Sequence, residues 1–452
     1  MGLITSAGVG SGLDVESIIS ALVNAERAPK EASFQRLEIR TNAQISGVGQ
    51  LKSALSALQD SLDNLTADNF NARTAVSADT DQLVATANSF ASEGSFDVDI
   101  VQTAQFTQLS TNTIAGDSST VLGDGNLTFQ NGNGGSFVIN VGASDSLLEI
   151  VDAINGASDN FGVSATLVNG DSGTKIIYRG ADTGAINDFT VINDNANLAA
   201  ISDGNGGALN PDSTALDAEI TIAGLSITSE TNTFSNPVRG VDITLDPNAT
   251  VGTINISVDK DKDTVKANIE QFVSDYNAFI TKANELGAAT EGLEGLLLGD
   301  ATLRNISRQV GSIVTSTVAS STADYNSLSR IGITTQKDGT LLVNSAELSE
   351  RLETGFDEVG NLFYAADGLG TQLETAVDPY TEFSGLLDKR TDTLRSTLDR
   401  IDDDRERLDY RVQQIEITLR ERFAAMDSIV SRFNFTGTFL EQQFAALSSG
   451  NE

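Results

Sequence analysis

The 47 residues from Leu387 to Phe433, LDKRTDTLRSTLDRIDDDRERLDYRVQQIEITLRERFAAMDSIVSRF, have apolar side chains at alternating intervals of three and four residues. This spacing predicts a long helix with a coiled-coil seam, and at ~1.5 Å per residue the helix would be roughly 70 Å long. A rod with one apolar stripe must pack on another helix. The predicted seam consists of Leu387, Thr391, Leu394, Leu398, Ile401, Arg405, Leu408, Val412, Ile415, Leu419, Arg422, Met426, Ile429 and Phe433.

The N-terminal region repeats this spacing between Phe34 and Leu65, which predicts the partner helix. Packing the two helices together would bring the ends of the chain close to each other. Pro29 is expected to separate this helix from a shorter amphipathic one, for which Asp14 is the predicted N-cap. The predicted N-terminal seam consists of Phe34, Leu37, Thr41, Gln44, Val48, Leu51, Leu55, Leu58, Leu62 and Leu65.

The middle of the chain, residues 76–260, has the alternating pattern of half-buried β-strands, as in Phe96–Val101 and Phe137–Val141. Turns rich in Gly and Asn separate the strands, and one short helix is predicted at Ser146–Ile154. This span holds 23 acidic and four basic residues, so it forms an acidic insert. Helical spacing returns in residues 264–383, interrupted by a predicted hairpin that turns at Asp338–Gly339.

The composition excludes several classes of function. The 452 residues carry 63 acidic and 28 basic side chains, a net charge of −35, with no Cys and no His. Disulfides, thiol nucleophiles and histidine-based catalysis are therefore absent, and the acidic balance argues against nucleic-acid binding. No stretch is apolar enough to span a membrane. The N-terminus lacks the pattern of a secretory signal peptide, so secretion would need a route without a cleaved signal.

No motif predicts a catalytic residue, a cofactor site or a metal site. Gly8–Gly12 lacks the preceding strand and the Gly-Lys-Ser/Thr that phosphate-binding loops require. The acidic stretch Asp259–Asp263 with Glu270 has part of the spacing of a calcium-binding EF-hand loop, but Thr264 stands where that loop needs Gly. A charged helix start explains the same residues.

The last 27 residues are unusually rich in large apolar side chains. Two interpretations remain open: a packed C-terminal helix, or a segment that stays exposed until it meets another protein. The residues concerned include Phe433, Phe435, Phe439, Leu440 and Phe444.

Several motifs resemble the flagellar filament-capping family, also called hook-associated protein two. The N-terminal motif is Gly10–Asp14, followed by Ile18, Ile19, Leu22, Glu26 and Pro29. The C-terminal motifs are Leu328–Ile333, Asp338–Leu341, Val359, Leu362 and Phe363, then Phe423, Met426, Asp427, Phe439 and Leu440. In the middle, Leu147–Asn155 resembles the short motif containing Ile-Asn that recurs in flagellin and hook-associated proteins.

The resemblance implies an α+β multidomain fold with long terminal coiled-coil helices, a helical leg domain and nested antiparallel β domains inserted in the middle. The terminal coiled-coil arms would be partly disordered. The expected domains are the arms (1–40 and 405–452), the leg (41–75 and 260–404), an inner β head domain (76–112 and 215–259) and an outer β head domain (113–214).

The resemblance further implies a secreted, non-enzymatic cap that leaves by type III export and forms a ring-shaped homo-oligomer, often a pentamer, at the distal filament tip. The cap would promote the folding and polymerisation of exported flagellin and prevent its loss to the medium. Its expected partners are other copies of itself, flagellin, the junction hook-associated proteins and a cytoplasmic export chaperone.

Two sets of residues are candidate contacts for these partners. Leu13, Asp14, Ile18, Ile19 and Leu22 would bind the filament, flagellin or a neighbouring subunit, and Phe433, Phe435, Phe439, Leu440 and Phe444 would bind the chaperone. The alternative function is an extracellular adhesin, whose acidic β head domains would bind host mucin or surface glycans. A carboxylate-based glycosidase comes last, since no motif selects a catalytic pair.

Overall fold

A computed structural model describes residues 12–290 and 293–448. The chain divides into two compact units, one formed by residues up to Thr66 and from Lys262 onward, the other by Ala67–Asp261. The helices of the described residues are α1 (Val15–Asp63), α2 (Ala67–Phe70), α3 (Leu147–Gly156), α4 (Lys262–Gly287), α5 (Ala301–Val314), α6 (Ser345–Tyr364), α7 (Leu369–Thr381) and α8 (Leu386–Ser448).

The strands of the described residues are short and antiparallel to their neighbours within the sheets. They are β1 (Arg73–Ser77), β2 (Leu83–Ala87), β3 (Gly94–Gln102), β4 (Phe106–Ser110), β5 (Gly125–Asn131), β6 (Ser136–Val141), β7 (Val163–Gly170), β8 (Gly173–Thr183), β9 (Phe189–Asn193), β10 (Asn210–Ser213), β11 (Ala218–Ile222), β12 (Leu225–Ser229), β13 (Thr233–Val238), β14 (Val241–Leu245), β15 (Gly252–Lys260), β16 (Ala289–Thr290), β17 (Leu293–Glu294), β18 (Ile333–Thr335) and β19 (Leu341–Val343).

Helix α1 is one continuous helix of 49 residues. The Asp14 carboxylate accepts a hydrogen bond from the Ser17 N–H at 3.1 Å, which confirms the predicted N-cap. The predicted break at Pro29 is wrong, because α1 passes through this residue. A proline removes one helical hydrogen bond and crowds the preceding turn. Here Arg27 and Glu31, on either side of it, form ion pairs with α8, on which α1 packs.

Helix α8 is 63 residues long and runs 15 residues beyond the predicted end of its seam. Five seam residues of its first half are buried: Leu387, Leu394, Ile401, Leu408 and Val412. The predicted long terminal helix is therefore confirmed, and along the part paired with α1 its apolar stripe is buried or, at Leu398, Ile415 and Leu419, partly buried.

The remaining helices of the first unit pack around α4, whose buried face carries Phe272, Tyr276 and Phe279. Phe272 meets the ring of Phe363 on α6 edge to face. The predicted hairpin turning at Asp338–Gly339 is present as β18 and β19. It docks on α4 through the Tyr276 hydroxyl, which donates to the Gly339 carbonyl at 3.0 Å.

The second unit, Ala67–Asp261, contains two hydrophobic cores. A five-stranded sheet in the order β1-β15-β3-β11-β12 and a three-stranded sheet in the order β13-β14-β2 form a β sandwich, because their buried residues share one core. The other core lies between a four-stranded sheet, β10-β4-β8-β7, a three-stranded sheet, β6-β5-β9, and helix α3.

Helix α3 begins with a capping box, in which Ser146 and Glu149 each bond the other's backbone N–H. The predicted helix at this place is thus confirmed. The predicted α+β fold with terminal coiled-coil helices and nested antiparallel β domains is confirmed as well. The boundaries of the four predicted domains stay a prediction, as does partial disorder of the arms, whose described residues are helical.

Candidate protein-interaction surface

Helices α1 and α8 pack against each other as an antiparallel coiled coil. Residue numbers rise along one helix as they fall along the other, as the ion pairs beside the seam demonstrate. These pairs are Glu16 with Arg420, Glu26 with Arg411, Arg27 with Asp409, Glu31 with Arg405, and Lys52 with Asp388. Residues 385–425 carry ten acidic and nine basic side chains, and several of these form the ion pairs beside the seam.

One charged layer interrupts the apolar seam. Arg405 donates to the Glu38 carboxylate at 2.5 Å and to the Glu31 carboxylate at 3.1 Å, so one guanidinium bridges two residues a heptad apart on α1. The bond to Glu38 is the main cause that raises the pKa of Arg405, and the pair with Glu31 adds to it. A charged layer of this kind fixes the register of two helices. In the sequence, this charged layer was indicated by Arg405, a cation at a predicted seam position.

The seam face of α8 continues beyond the described part of α1. Among the described residues, the ion pair nearest this end joins Arg420 to Glu16, and α1 begins at Val15. In this register, α8 from Met426 onward lies past Gly12, the first described residue. The stretch Met426–Ser448 is roughly 35 Å of helix at ~1.5 Å per residue.

We call residues 426–445, at this end of α8, the tail. Its large apolar side chains are exposed, with 71% of Phe433 and 75% of Phe435 accessible to solvent. The exposed set is Met426, Ile429, Phe433, Phe435, Phe439, Leu440 and Phe444. Soluble proteins rarely expose so many large apolar groups together unless the surface binds something.

The helical period divides the tail into two apolar faces. Met426, Phe433, Leu440 and Phe444 continue the seam face of α8, whereas Phe435 and Phe439, one helical turn apart, point to the opposite side. One partner helix covers one stripe. A tail with two apolar faces therefore offers contacts to more than one partner.

The structure separates the five candidate residues near the start of α1. Leu13 and Leu22 are exposed, Ile18 is partly buried, Asp14 caps the helix, and Ile19 is buried. Leu13 and Leu22 are thus accessible to a partner, whereas Ile19 contributes to the helix pair itself. The candidate residues of the tail, from Phe433 to Phe444, are all exposed.

The described residues offer little for other kinds of site. In residues 12–290 and 293–448, no helix combines the length and the apolar character needed to cross a membrane. Across the same ranges, which include Asp259–Asp263 and Glu270, no three acidic side chains are grouped so that they could hold a metal ion.

Comparisons with known proteins match nearly the whole chain. The family described as Flagellar hook-associated protein 2 N-terminus matches residues 11–106, and its C-terminus matches 215–435. The Flagellin hook IN motif matches 126–177, which includes the predicted Ile-Asn motif.

Individual relatives agree with these matches. The A-type flagellar hook-associated protein 2 of Pseudomonas aeruginosa is 34% identical over 98% of both chains. The flagellar hook-associated protein 2 of Aeromonas caviae is 31% identical over 97% of both. The crystal structure of the D1-D2-D3 domains of the flagellar cap protein FliD from Escherichia coli matches with a TM-score of 0.58 and 28% identity, over 77% of this chain and 99% of that one.

The fold and the tail define a multidomain assembly protein, in which a terminal coiled coil accompanies nested antiparallel β domains. The chain belongs to the flagellar hook-associated protein 2 family, the family of the flagellar cap. The relatives it matches are structural flagellar proteins rather than enzymes.

Proposed function

We propose that this chain is the cap of a flagellar filament, acting as a ring-shaped homo-oligomer at the distal tip. There it promotes the folding and polymerisation of exported flagellin and keeps flagellin from being lost to the medium. Family membership supports the cap role. The feature of this molecule that carries the proposal further is the exposed, two-faced tail of α8.

The tail has the properties expected of a segment that is handed from one partner to another. An exposed amphipathic helix binds a groove through residues at intervals of three and four. Before export, a cytoplasmic chaperone would cover both faces of the tail, with their side chains Phe433, Phe435, Phe439, Leu440 and Phe444. After export, the end of the coil with Leu13 and Leu22 would meet the filament, flagellin or a neighbouring subunit.

We further propose that the chain is secreted by type III export and contacts the junction hook-associated proteins. We also propose that it is divided into arms, leg, inner head and outer head. The two separate hydrophobic cores of Ala67–Asp261 are consistent with two head domains.

The test is complementation of a flagellated bacterium that lacks its own capping protein. We expect the unaltered chain to restore long filaments and to lower the amount of flagellin in the medium. Replacing Phe435 and Phe439 together by Ala should abolish both effects, because it removes one apolar face of the tail. Phe383→Ala is the matched control, since this Phe is 96% exposed but lies outside the tail.

The amount of exported cap protein separates the two roles of the tail. A variant that fails at the chaperone step accumulates inside the cell, whereas one that fails at the filament reaches the medium. Filaments of normal length from the Phe435/Phe439 double variant would refute the role assigned to the tail.

A further inference from the structure

Two turns of the β sandwich hold an exposed aromatic ring beside an exposed guanidinium. Phe90 is 66% accessible, and the Arg239 guanidinium lies 5.9 Å from the centre of its ring. Both line an open pocket of about 420 Å³ together with Asn88, Asn236 and Asp242. Aromatic residues and Arg are enriched among the side chains that contribute most to protein interfaces.

One backbone hydrogen bond and a close backbone approach hold the two turns together. Strands β13 and β14 are joined by the two-residue turn Arg239–Gly240, in which Gly240 has φ +78°. The Asn88 N–H donates to the Gly240 carbonyl at 2.9 Å, and a Cβ at Gly240 would lie 2.5 Å from the Ala91 nitrogen. The patch is therefore built into the sheet end and presents Phe90 and Arg239 without a loop rearrangement.

Side chains around the pocket are also oriented before any partner arrives. The Asn88 side-chain oxygen accepts from the Phe90 N–H at 2.9 Å, and the Asn236 side-chain oxygen accepts from the Gly240 N–H at 2.6 Å. Within the described part of the chain, no acceptor is bonded to their amide nitrogens, which can donate to a partner. A rigid patch binds with a smaller entropy cost than a mobile one.

Charge indicates what this patch would bind. Among the described residues Arg239 has no ion pair with a carboxylate, although the unit Ala67–Asp261 contains 25 acidic and only five basic residues. An exposed cation on so acidic a unit is complementary to the acidic surfaces of another copy, and Arg239 differs from the other exposed cations of the unit in lying beside the exposed ring of Phe90.

A matching acidic surface lies on the opposite layer of the sandwich. Strand β3 is the central strand of the five-stranded sheet, and Asp97 and Asp99 alternate with its buried residues, so both point outward. Asp is disfavoured in strands, and two on one face repel each other. Neighbouring strand β15 orients them: the Asn255 amide donates to Asp97 at 2.8 Å, and the Thr253 hydroxyl donates to Asp99 at 2.5 Å.

We infer that the Phe90–Arg239 patch of one copy docks on the Asp97–Asp99 face of a second copy. The two surfaces belong to opposite layers of one sandwich and cannot meet within a chain, because the shared core lies between them. A contact between two different surfaces is heterologous, and repeating it with a rotation that closes produces a ring. This inference rests on the proposed ring-shaped cap and names a surface that would hold it together.

Self-association of the purified full-length chain, followed by analytical ultracentrifugation over a wide concentration range, tests the contact. Arg239→Glu and Phe90→Ala should each weaken association by about tenfold or more, as expected for central interface residues. Asp99→Arg should weaken it likewise. Combining Arg239→Glu with Asp99→Arg in one chain should restore association, because the pair of charges is exchanged.

Lys175→Glu is the matched control, an exposed cation of the same unit that makes the same charge change. Circular dichroism checks that each variant is folded. The contact is refuted if Arg239→Glu and Phe90→Ala leave self-association unchanged. It is also refuted if the double charge variant associates no more strongly than the single variants.

The outcomes for the contact and for the proposed function are distinguishable. A chain whose self-association is unaffected by Arg239→Glu and Phe90→Ala, and which restores filaments, refutes this contact and leaves the capping function intact. A chain that associates as predicted but restores no filaments refutes the capping function and leaves the contact standing.

Discussion

Gly355, a residue of helix α6, leaves space for the aromatic ring of Tyr325. It lies within α6 but has φ −153° and ψ 50°, which are not helical values. A Cβ at this position would lie 2.3 Å from Cζ of Tyr325. The Tyr325 hydroxyl in turn bonds the Thr354 hydroxyl at 3.0 Å. The kink in α6 thus lies where the ring of Tyr325 leaves no room for a Cβ, a contact that single-sequence patterns do not reveal.

We predict that Gly355→Ala lowers the free energy of unfolding by about 1–2 kcal/mol, because the new methyl group pushes aside the partly buried ring of Tyr325. Gly311→Ala in α5 is the control with the opposite sign. Its Cβ would meet nothing within 4 Å, so the better helix propensity of Ala should stabilise by roughly 0.5–1 kcal/mol. Urea unfolding measures both, and equal effects of the two changes would contradict the role of Tyr325.

At the scale of elements, the sequence pattern located the helices of the coil but not their continuity. The seam spacing predicted α8 and the second half of α1. The break expected at Pro29 was wrong, because local propensity does not include the packing of α1 on α8, a helix more than 300 residues away. Likewise, no sequence pattern joins Phe90 to Arg239, since strand pairing between distant segments places them together.

We predict that shortening a side chain of the apolar stripe of α8 affects stability differently at a buried and at an exposed position. Leu408→Ala should lower the free energy of unfolding by about 2–4 kcal/mol, since Leu408 is buried against the partner helix and its loss leaves a cavity. Phe433→Ala should change it by less than about 0.5 kcal/mol, as expected for an exposed site.

Chemical unfolding of the isolated chain measures this pair. Phe433→Ala should nevertheless weaken filament growth in the complementation assay. A large loss of stability from Phe433→Ala would indicate that the tail is already covered within the chain.

For the molecule as a whole, each unit contains a buried tyrosine that links its stability to pH. Burial raises the pKa of Tyr276 in the first unit to about 12. In the second unit, burial raises the pKa of Tyr178 well above its ordinary value of 10. The Tyr178 hydroxyl donates to the Ile201 carbonyl at 2.8 Å. Each neutral phenol contributes stability that is fully present below pH 10 and is lost as the pH rises through its folded-state pKa.

We predict that the chain loses stability above about pH 10 and that Tyr178→Phe makes this loss less steep, because the substituted unit has one fewer group to ionise. At neutral pH the variant should be slightly less stable, since the Ile201 carbonyl loses its donor. Urea midpoints at several pH values provide the measurement. Tyr410→Phe is the control, because Tyr410 is exposed, and its profile should match that of the unaltered chain.

The antiparallel pairing of α1 with α8 also fixes when the coil can close during synthesis. Helix α1 ends at Asp63 and its partner begins at Leu386, so a ribosome adding ~5–20 residues per second needs roughly 20 s to a minute to deliver the partner. During that interval the apolar stripe of α1 has no α8 to pack on. The stripe of a newly made chain is therefore open to a binding protein until the part of α8 that pairs with α1, up to Arg420, has been synthesised.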